Sequence, residues 1–269
     1  MAPASFSRLD GKSYAFVGLD HARERAPRFS FGGKIMLGGG VGRQIYLSDL
    51  VPDSMFVGTS LILRQGGKFL YGIRPPRVEG SRQVIELTGI GGALEDEDDS
   101  LAAGVLREAR EEMGCDVRLL PCRETLVVRG RGDLVRVALQ GEEQPAALVF
   151  RRYGTPPHQP WHEDDDGEAC LVIFDGELAG EPWPAMELPA LVWLKPTHII
   201  HAAQHDVPLR GLLDSGAMLV GKESGLVPAT AWVRLTDSQE ALVLALGDDA
   251  LAFYEAMLER QGGCGLSRS

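Results

Sequence analysis

The sequence predicts an α/β (α+β) protein on three observations: β-prone apolar runs recur through the middle of the chain, one strongly amphipathic helix interrupts them, and further helix patterns follow. Met55 to Leu63 and Lys68 to Ile73, joined through Gln65-Gly66-Gly67, have the pattern of a β-hairpin. Val84 to Thr88 is a third β-prone run, and the pair Gly91-Gly92 after it signals a turn. The acidic stretch Glu95 to Asp99 then leads into helix formers from Leu101, so this region is strand, loop and helix. Asp98, Asp99 or Ser100 is placed to cap the helix, whose N-terminus carries partial positive charge. Apolar runs at 115–128, 134–139, 146–151, 170–174 and 191–194 supply more strands, and residues 197–214 a helix. In the tail, Ala231 to Leu235 reads as a strand, and Leu251, Tyr254, Met257 and Leu258 recur at helical spacing.

The 269 residues give room for one large domain or a core with extensions. No low-complexity linker or internal repeat separates residues 1–50 and 216–269 from the core at 51–215, so the extensions are expected to pack on it or to form a homodimer contact. A net charge of −11 argues against a broad nucleic-acid-binding surface while leaving room for a local nucleotide pocket. Cys115, Cys122, Cys170 and Cys264 form no C-x-x-C spacing, so reduced thiols are the default. With no cationic start before an apolar run, and no stretch near ~18 apolar residues, the expectation is a cytoplasmic protein without a membrane anchor.

The helix carries the chemistry. On a wheel advancing ~100° per residue, Leu101, Ala102, Val105, Leu106, Ala109 and Met113 fall within an arc of about 140°, the core face. Gly104, Glu108, Glu111 and Glu112 share the neighbouring edge. A solvated acidic face is the ordinary explanation for such a cluster. Glu112, however, falls between Leu101 and Val105, and half-burial makes an uncompensated carboxylate costly to keep charged. Arg107, one turn before Glu111, can fix that carboxylate, but one arginine cannot neutralise three glutamates. A divalent metal can, and oxygen ligands without nearby histidine or cysteine suit Mg²⁺ or Mn²⁺ better than zinc.

The string Arg107-Glu108-Ala109-Arg110-Glu111-Glu112-Met113-Gly114-Cys115 resembles the second half of the Nudix box, G-x5-E-x7-R-E-U-x-E-E-x-G-U with U apolar, at every fixed position. The first half departs from it. Counting back from Arg107 puts Asp99 at the glutamate position and Ala93 at the glycine position, whereas Gly91-Gly92 play the glycine part. One extra residue between Glu95 and Asp99 reconciles the two, and leaves Asp99, Glu97 and Glu95 competing for one role.

The resemblance implies a mixed β-sheet sandwiched between helices, with Mg²⁺ or Mn²⁺ held by Glu108, Glu111 and Glu112. It implies hydrolysis of a diphosphate linkage in a small-molecule nucleoside diphosphate derivative, with Arg107, Glu111, Glu112 and the loop carboxylate in the catalytic machinery. The general base comes from the box or from a later loop, here His162 to Glu168, where Glu168 enters a strand; a solvated acidic loop is the competing explanation of that run. A catalytically silent Nudix-like domain that senses a ligand or binds a partner is the alternative function. Such a domain is expected to lose a metal carboxylate, and all three are present.

Arg74, Arg77 and Arg82 lie just before the strand that enters the glycine turn, where they either grip phosphates or stand as solvated loop arginines. Gly91 and Gly92 are further candidate phosphate contacts. Gly38 to Arg43 is glycine-rich but lacks the lysine and hydroxyl of a P-loop, and reads as a turn. His158-Gln159-Pro160-Trp161 resembles only a fragment of a motif of nicotinamide-dinucleotide pyrophosphatases.

Overall fold

Residues 45–52, 55–130, 132–141, 144–152, 168–185, 187–221 and 226–260 are described in the computed structural model, with the backbone alone for Arg152, Glu168 and Asp237. Gly38 to Arg43 and His158 to Trp161 lie outside the described residues. The described chain begins with β1 (Ile45–Tyr46), parallel to β9 (Leu139–Gln140), and one helical turn, α1 (Leu47–Leu50).

The expected hairpin forms from β2 (Phe56–Gln65) and β3 (Lys68–Ile73), with Gln65 opposite Lys68 and Leu63 opposite Leu70 across the Gly66-Gly67 turn. β3 also pairs antiparallel with β5 (Arg82–Thr88), the strand that enters the Gly91-Gly92 turn, and β4 (Arg77–Glu79) folds back onto β5. Beyond helix α2 (Leu101–Met113), β6 (Val117–Leu120) and β7 (Thr125–Gly130) divide the apolar run at 115–128, and β8 (Asp133–Val137) pairs back on β7. β10 (Ala147–Arg152) runs parallel to β7 and antiparallel to β11 (Glu168–Leu178). β11 in turn runs parallel to β2 from Ala169 to Gly176 and takes β6 against its second half. β12 (Ala190–Leu194) pairs with β3 and with β14 (Met218–Val220).

The result is a mixed sheet with helices on both faces, the architecture the resemblance implies. Alternation along β2 sets the two sides. Leu61 and Leu63 pack with Val105, Ala109 and Met113 of α2, whereas Ile62 faces the other core. That second core is built from α3 (Pro196–Gln204), α4 (Leu209–Asp214), α5 (Asp237–Leu246) and α6 (Ala250–Glu259). Burying a side chain such as Met113, which has no exposed surface, stabilises by about 2 kcal/mol.

Two sequence expectations change. Residues 197–214 are not one helix, because His205 is extended (φ −148°) and the two-residue strand β13 (Val207–Pro208) separates α3 from α4. Proline disfavours helical backbone before it and cannot donate within a helix. Helix α5 was not anticipated, since Ala241 to Leu246 is a continuous apolar run that periodicity cannot distinguish from a strand. The tail strand does form: β15 (Trp232–Leu235) adds to the sheet parallel to β5, with β13 on its other side. No helix among the described residues is long and apolar enough to cross a membrane.

Candidate active site

Helix α2 starts at Ser100, whose hydroxyl accepts the Ala103 N–H at 3.0 Å, so the serine caps the helix and not Asp98 or Asp99. It ends at Gly114 in the left-handed conformation (φ 62°), with the Gly114 N–H donating to the Arg110 carbonyl. Val105, Ala109 and Met113 bury one face and leave the glutamate edge turned towards the glycine turn.

That turn is stitched to β2. The Thr59 N–H donates to the Gly92 carbonyl at 2.7 Å and the Leu61 N–H to that of Ile90 at 2.8 Å. A Cβ at Gly91 (φ 144°) would overlap the Thr59 carbonyl, so glycine is required there. At Gly92 a Cβ would come to 2.5 Å of Glu108 Oε1, so the carboxylate of Glu108 rests directly on the turn. Glu112 reaches the same turn, with Oε2 accepting the Gly91 N–H at 3.0 Å. Two carboxylates one helical turn apart therefore converge on two adjacent glycines.

Their surroundings raise both pKa values. Burial pushes the Glu108 carboxyl up, and the neighbouring Arg107 opposes this. Burial pushes Glu112 up to about 7; the Gly91 N–H and the charge of Arg74 lower it, while the charges of Glu108 and Glu187 raise it. Glu112 is half-buried, as its position on the wheel requires. Glu111 is the outermost of the three, its side chain 44% exposed.

Arg107 is the hub. Its Nη1 donates to Glu108 Oε1 at 3.0 Å and to Glu111 Oε2 at 3.3 Å, confirming the expected one-turn pairing. Its Nε and Nη2 donate at 3.2 and 3.1 Å to the two carboxylate oxygens of Asp98, and Nη2 also reaches the Ala93 carbonyl at 3.2 Å. Asp98 accepts the Glu95 N–H as well, and the Arg107 hydrogen bonds hold its carboxyl below the usual range. The fork-to-carboxylate geometry is bidentate, the strong form of the contact.

Asp98 was missed in the sequence. Asp99 is exposed, Glu97 is exposed, and Glu95 approaches Arg107 only at 3.6 Å. Counting forward from Gly92 gives the signal that could have found it: Asp98 stands at the G-x5-E offset, a count that would put the extra residue between Asp98 and Arg107. Gly104 makes room for this arrangement, because a Cβ there would come to 2.6 Å of Leu94 Cδ2 and 3.0 Å of Asp98 Oδ2.

The three candidate phosphate arginines separate. Arg77 is paired with Glu79 and Glu86, each at 2.7 Å, and Arg82 lies over the Trp232 ring at 4.6 Å, so both are engaged in joining strands. Arg74 remains beside the site, its charge felt by Glu112. Glu168 opens β11, but its side chain and the His162 to Gly167 segment lie outside the described residues. Cys115, Cys122 and Cys170 are buried free thiols, and burial pushes Cys122 and Cys170 up to about 11 and about 12. Cys264 lies outside the described residues.

Among the described residues, no three His, Cys, Asp or Glu side chains are already arranged as a metal site. Glu111 turns outward with Arg107 while Glu108 and Glu112 face the glycines, so Glu108, Glu111 and Glu112 are not gathered round one point. The donor chemistry nevertheless fits a hard divalent cation. Two partly buried carboxylates, each made costlier to ionise by burial and by neighbouring carboxylates, gain from a shared positive charge.

No protein-family model matches the chain, and no curated protein matches it. Solved structures do, and several bear the Nudix name. A possible asymmetric diadenosine tetraphosphate hydrolase from Jonesia denitrificans is 13% identical with a TM-score of 0.40, covering 76% of this chain and 95% of that one. An ADP-ribose pyrophosphatase from Streptococcus suis is 15% identical with a TM-score of 0.34, covering 72% and 93%. A Nudix hydrolase from Nitrosomonas europaea is 17% identical with a TM-score of 0.36, covering 60% and 85%. Likeness of this degree assigns neither activity nor substrate to the chain.

Proposed function

We propose that the protein is a divalent-metal-dependent hydrolase of the Nudix type that cleaves the diphosphate linkage of a nucleoside diphosphate joined to another moiety. The observation that carries this reading is the convergence of Glu108 and Glu112 on Gly91-Gly92, with Arg107 locking the loop carboxylate Asp98 against the same helix. A merely solvated acidic face has no need of two glutamates drawn inward against burial. In this reading residues 51–215 form the catalytic domain and residues 216–269 an extension, in a cytoplasmic protein with reduced thiols.

Glu108, Glu111 and Glu112 would hold Mg²⁺ or Mn²⁺, which neutralises phosphate oxygens and lowers the pKa of a bound water. Arg107 fixes Glu108 and Glu111 in orientation while its other edge holds Asp98, so the acidic loop stays docked on α2. Gly91 gives its N–H to Glu112, and Gly92, which bears no Cβ, leaves room for the carboxylate of Glu108. Arg74, whose charge reaches Glu112, is the candidate among the three arginines for meeting a phosphate. Glu111, the most exposed of the three box glutamates, and Glu168 at the entrance of β11 are the candidates for taking a proton from the attacking water.

The test is a screen of ADP-sugars, dinucleoside polyphosphates, dinucleotide cofactors and nucleoside triphosphates with millimolar Mg²⁺ or Mn²⁺, scoring the nucleotides released. Metal-dependent turnover is expected. Metal binding without turnover of any compound would select the ligand-sensing alternative.

A further inference from the structure

We propose that Gln239, in the first turn of the C-terminal helix α5, is a positioning residue for the site and acts through one internal water shared with Ser60 beneath the turn Gly89–Gly92. The proposal rests on the hydrolase reading for its kinetic consequences, but not for its structural ones.

Ser60 and Gln239 are almost wholly buried, at 4% and 1% exposure, yet Ser60 Oγ and Gln239 Nε2 have no hydrogen-bond partner among the described residues. Buried polar atoms are nearly always satisfied by protein or ordered water, so two orphans side by side call for a common partner. The Gln239 amide lies with its oxygen towards two ring hydroxyls. Two phenols, Tyr254 at 3.1 Å and Tyr71 at 3.5 Å, donate to its oxygen, which leaves the NH₂ group pointing the other way.

That direction is the bare Cα of Gly89. A Cβ added there would collide with Ser60 Oγ and come to 3.5 Å of Gln239 Nε2, so both orphans lie against the same glycine under the turn. A water between them accepts from the Gln239 amide and, at its other side, either donates to the Ser60 oxygen or accepts from the Ser60 hydroxyl.

The turn above is the one on which Glu108 and Glu112 converge. Gly91 lies over the backbone of Ser60, and the Leu61 N–H holds the Ile90 carbonyl. The C-terminal segment also grips the strand leading into it. Both the N–H and the hydroxyl of Thr236 donate to the Leu87 carbonyl, at 2.9 and 3.1 Å. The extension thus reaches the site from beneath, on the face of the sheet opposite α2.

The test uses the full chain. A crystal structure resolving ordered waters is expected to show one between Ser60 and Gln239; a direct Ser60 to Gln239 hydrogen bond without water would overturn the proposal. Gln239→Leu and Ser60→Ala are compared with Leu242→Ala, a control that weakens the packing of α5 and keeps both members of the pair. Amide exchange at residues 90–92 is expected to rise at least ~10-fold in Gln239→Leu and Ser60→Ala but not in the control. With a diphosphate substrate, kcat should fall ~10-fold in both with KM changed less than ~3-fold. Unchanged exchange in whichever variant folds, or an equal rise in the control, sinks the positioning role. Absence of turnover in the wild type would sink the hydrolase reading alone, since the exchange comparison and the water density stand without it.

Discussion

Arg107 holds Asp98, nine positions earlier, with two parallel hydrogen bonds of 3.2 and 3.1 Å, and leaves Asp99 exposed. Asp98→Asn is therefore expected to lower turnover by on the order of tenfold or more, since it halves the charge-assisted pairing that docks the loop. Asp99→Asn and Glu97→Gln should each stay within about twofold of wild type. Steady-state kinetics on the three single variants checks this, and a larger loss at Asp99 than at Asp98 would restore the spacing counted back from Arg107.

Glu108→Gln, Glu111→Gln and Glu112→Gln are each expected to cost at least ~10² in turnover while the fold survives, because each keeps volume and removes a charge available to a cation. The readouts are kcat and the metal concentration giving half-maximal rate. A folded variant with near-normal values for both would remove that glutamate from the site.

The part of this site that was legible in the sequence is the part governed by helical period. The arc of Val105, Ala109 and Met113 fixed which edge of α2 faces the sheet, and from it followed the half-burial of Glu112. Period says nothing about a loop, so Glu95, Glu97 and Asp99 stay in competition there, and Asp98 joins them only through its pairing with Arg107 in the folded chain. The β2–β3 hairpin was readable because its glycine pair and its apolar runs agree. Helix α5 was not readable, since its apolar residues run on without interruption, and neither was the break at Pro208, where two helical patterns lie close together. Arg77 and Arg82 show a different limit: their partners Glu86 and Trp232 meet them only once the strands have paired.

The raised pKa of Glu112 makes stability depend on pH. A carboxyl at about 7 in the folded state, against an ordinary value near 4.5, binds more protons when folded across that window. Stability from this group is then fully present below about 4.5 and is lost as pH rises through about 7. Metal-free protein should lose on the order of 5 °C in Tm between pH 5.5 and 8 relative to Glu112→Gln, and millimolar Mg²⁺ or Mn²⁺ at pH 8 should restore much of it. Thermal melts of both proteins with and without metal decide the matter. Parallel pH profiles for wild type and variant, with no response to metal, would mean that Glu112 carries no such strain.

Gly92→Ala separates stability from activity most sharply. The substitution adds one methyl group in a turn whose φ at this residue is not in the left-handed region, so the backbone tolerates it. What stands in the way is the carboxylate of Glu108, at 2.5 Å from the added Cβ, and that side chain can swing aside only by leaving the turn it shares with Glu112. The fold should survive with Tm within a few degrees, while kcat falls by at least ~10² and the metal requirement rises. Gly104→Ala offers the comparison. Its Cβ meets the flexible end of Leu94 first, at 2.6 Å, and alanine raises helix propensity by about 1 kcal/mol, so that variant should melt near wild type and lose only a few-fold in rate. If Gly92→Ala retains full activity, Glu108 does not act from the position it occupies against the turn, and the site must be rebuilt around Glu111 and Glu112.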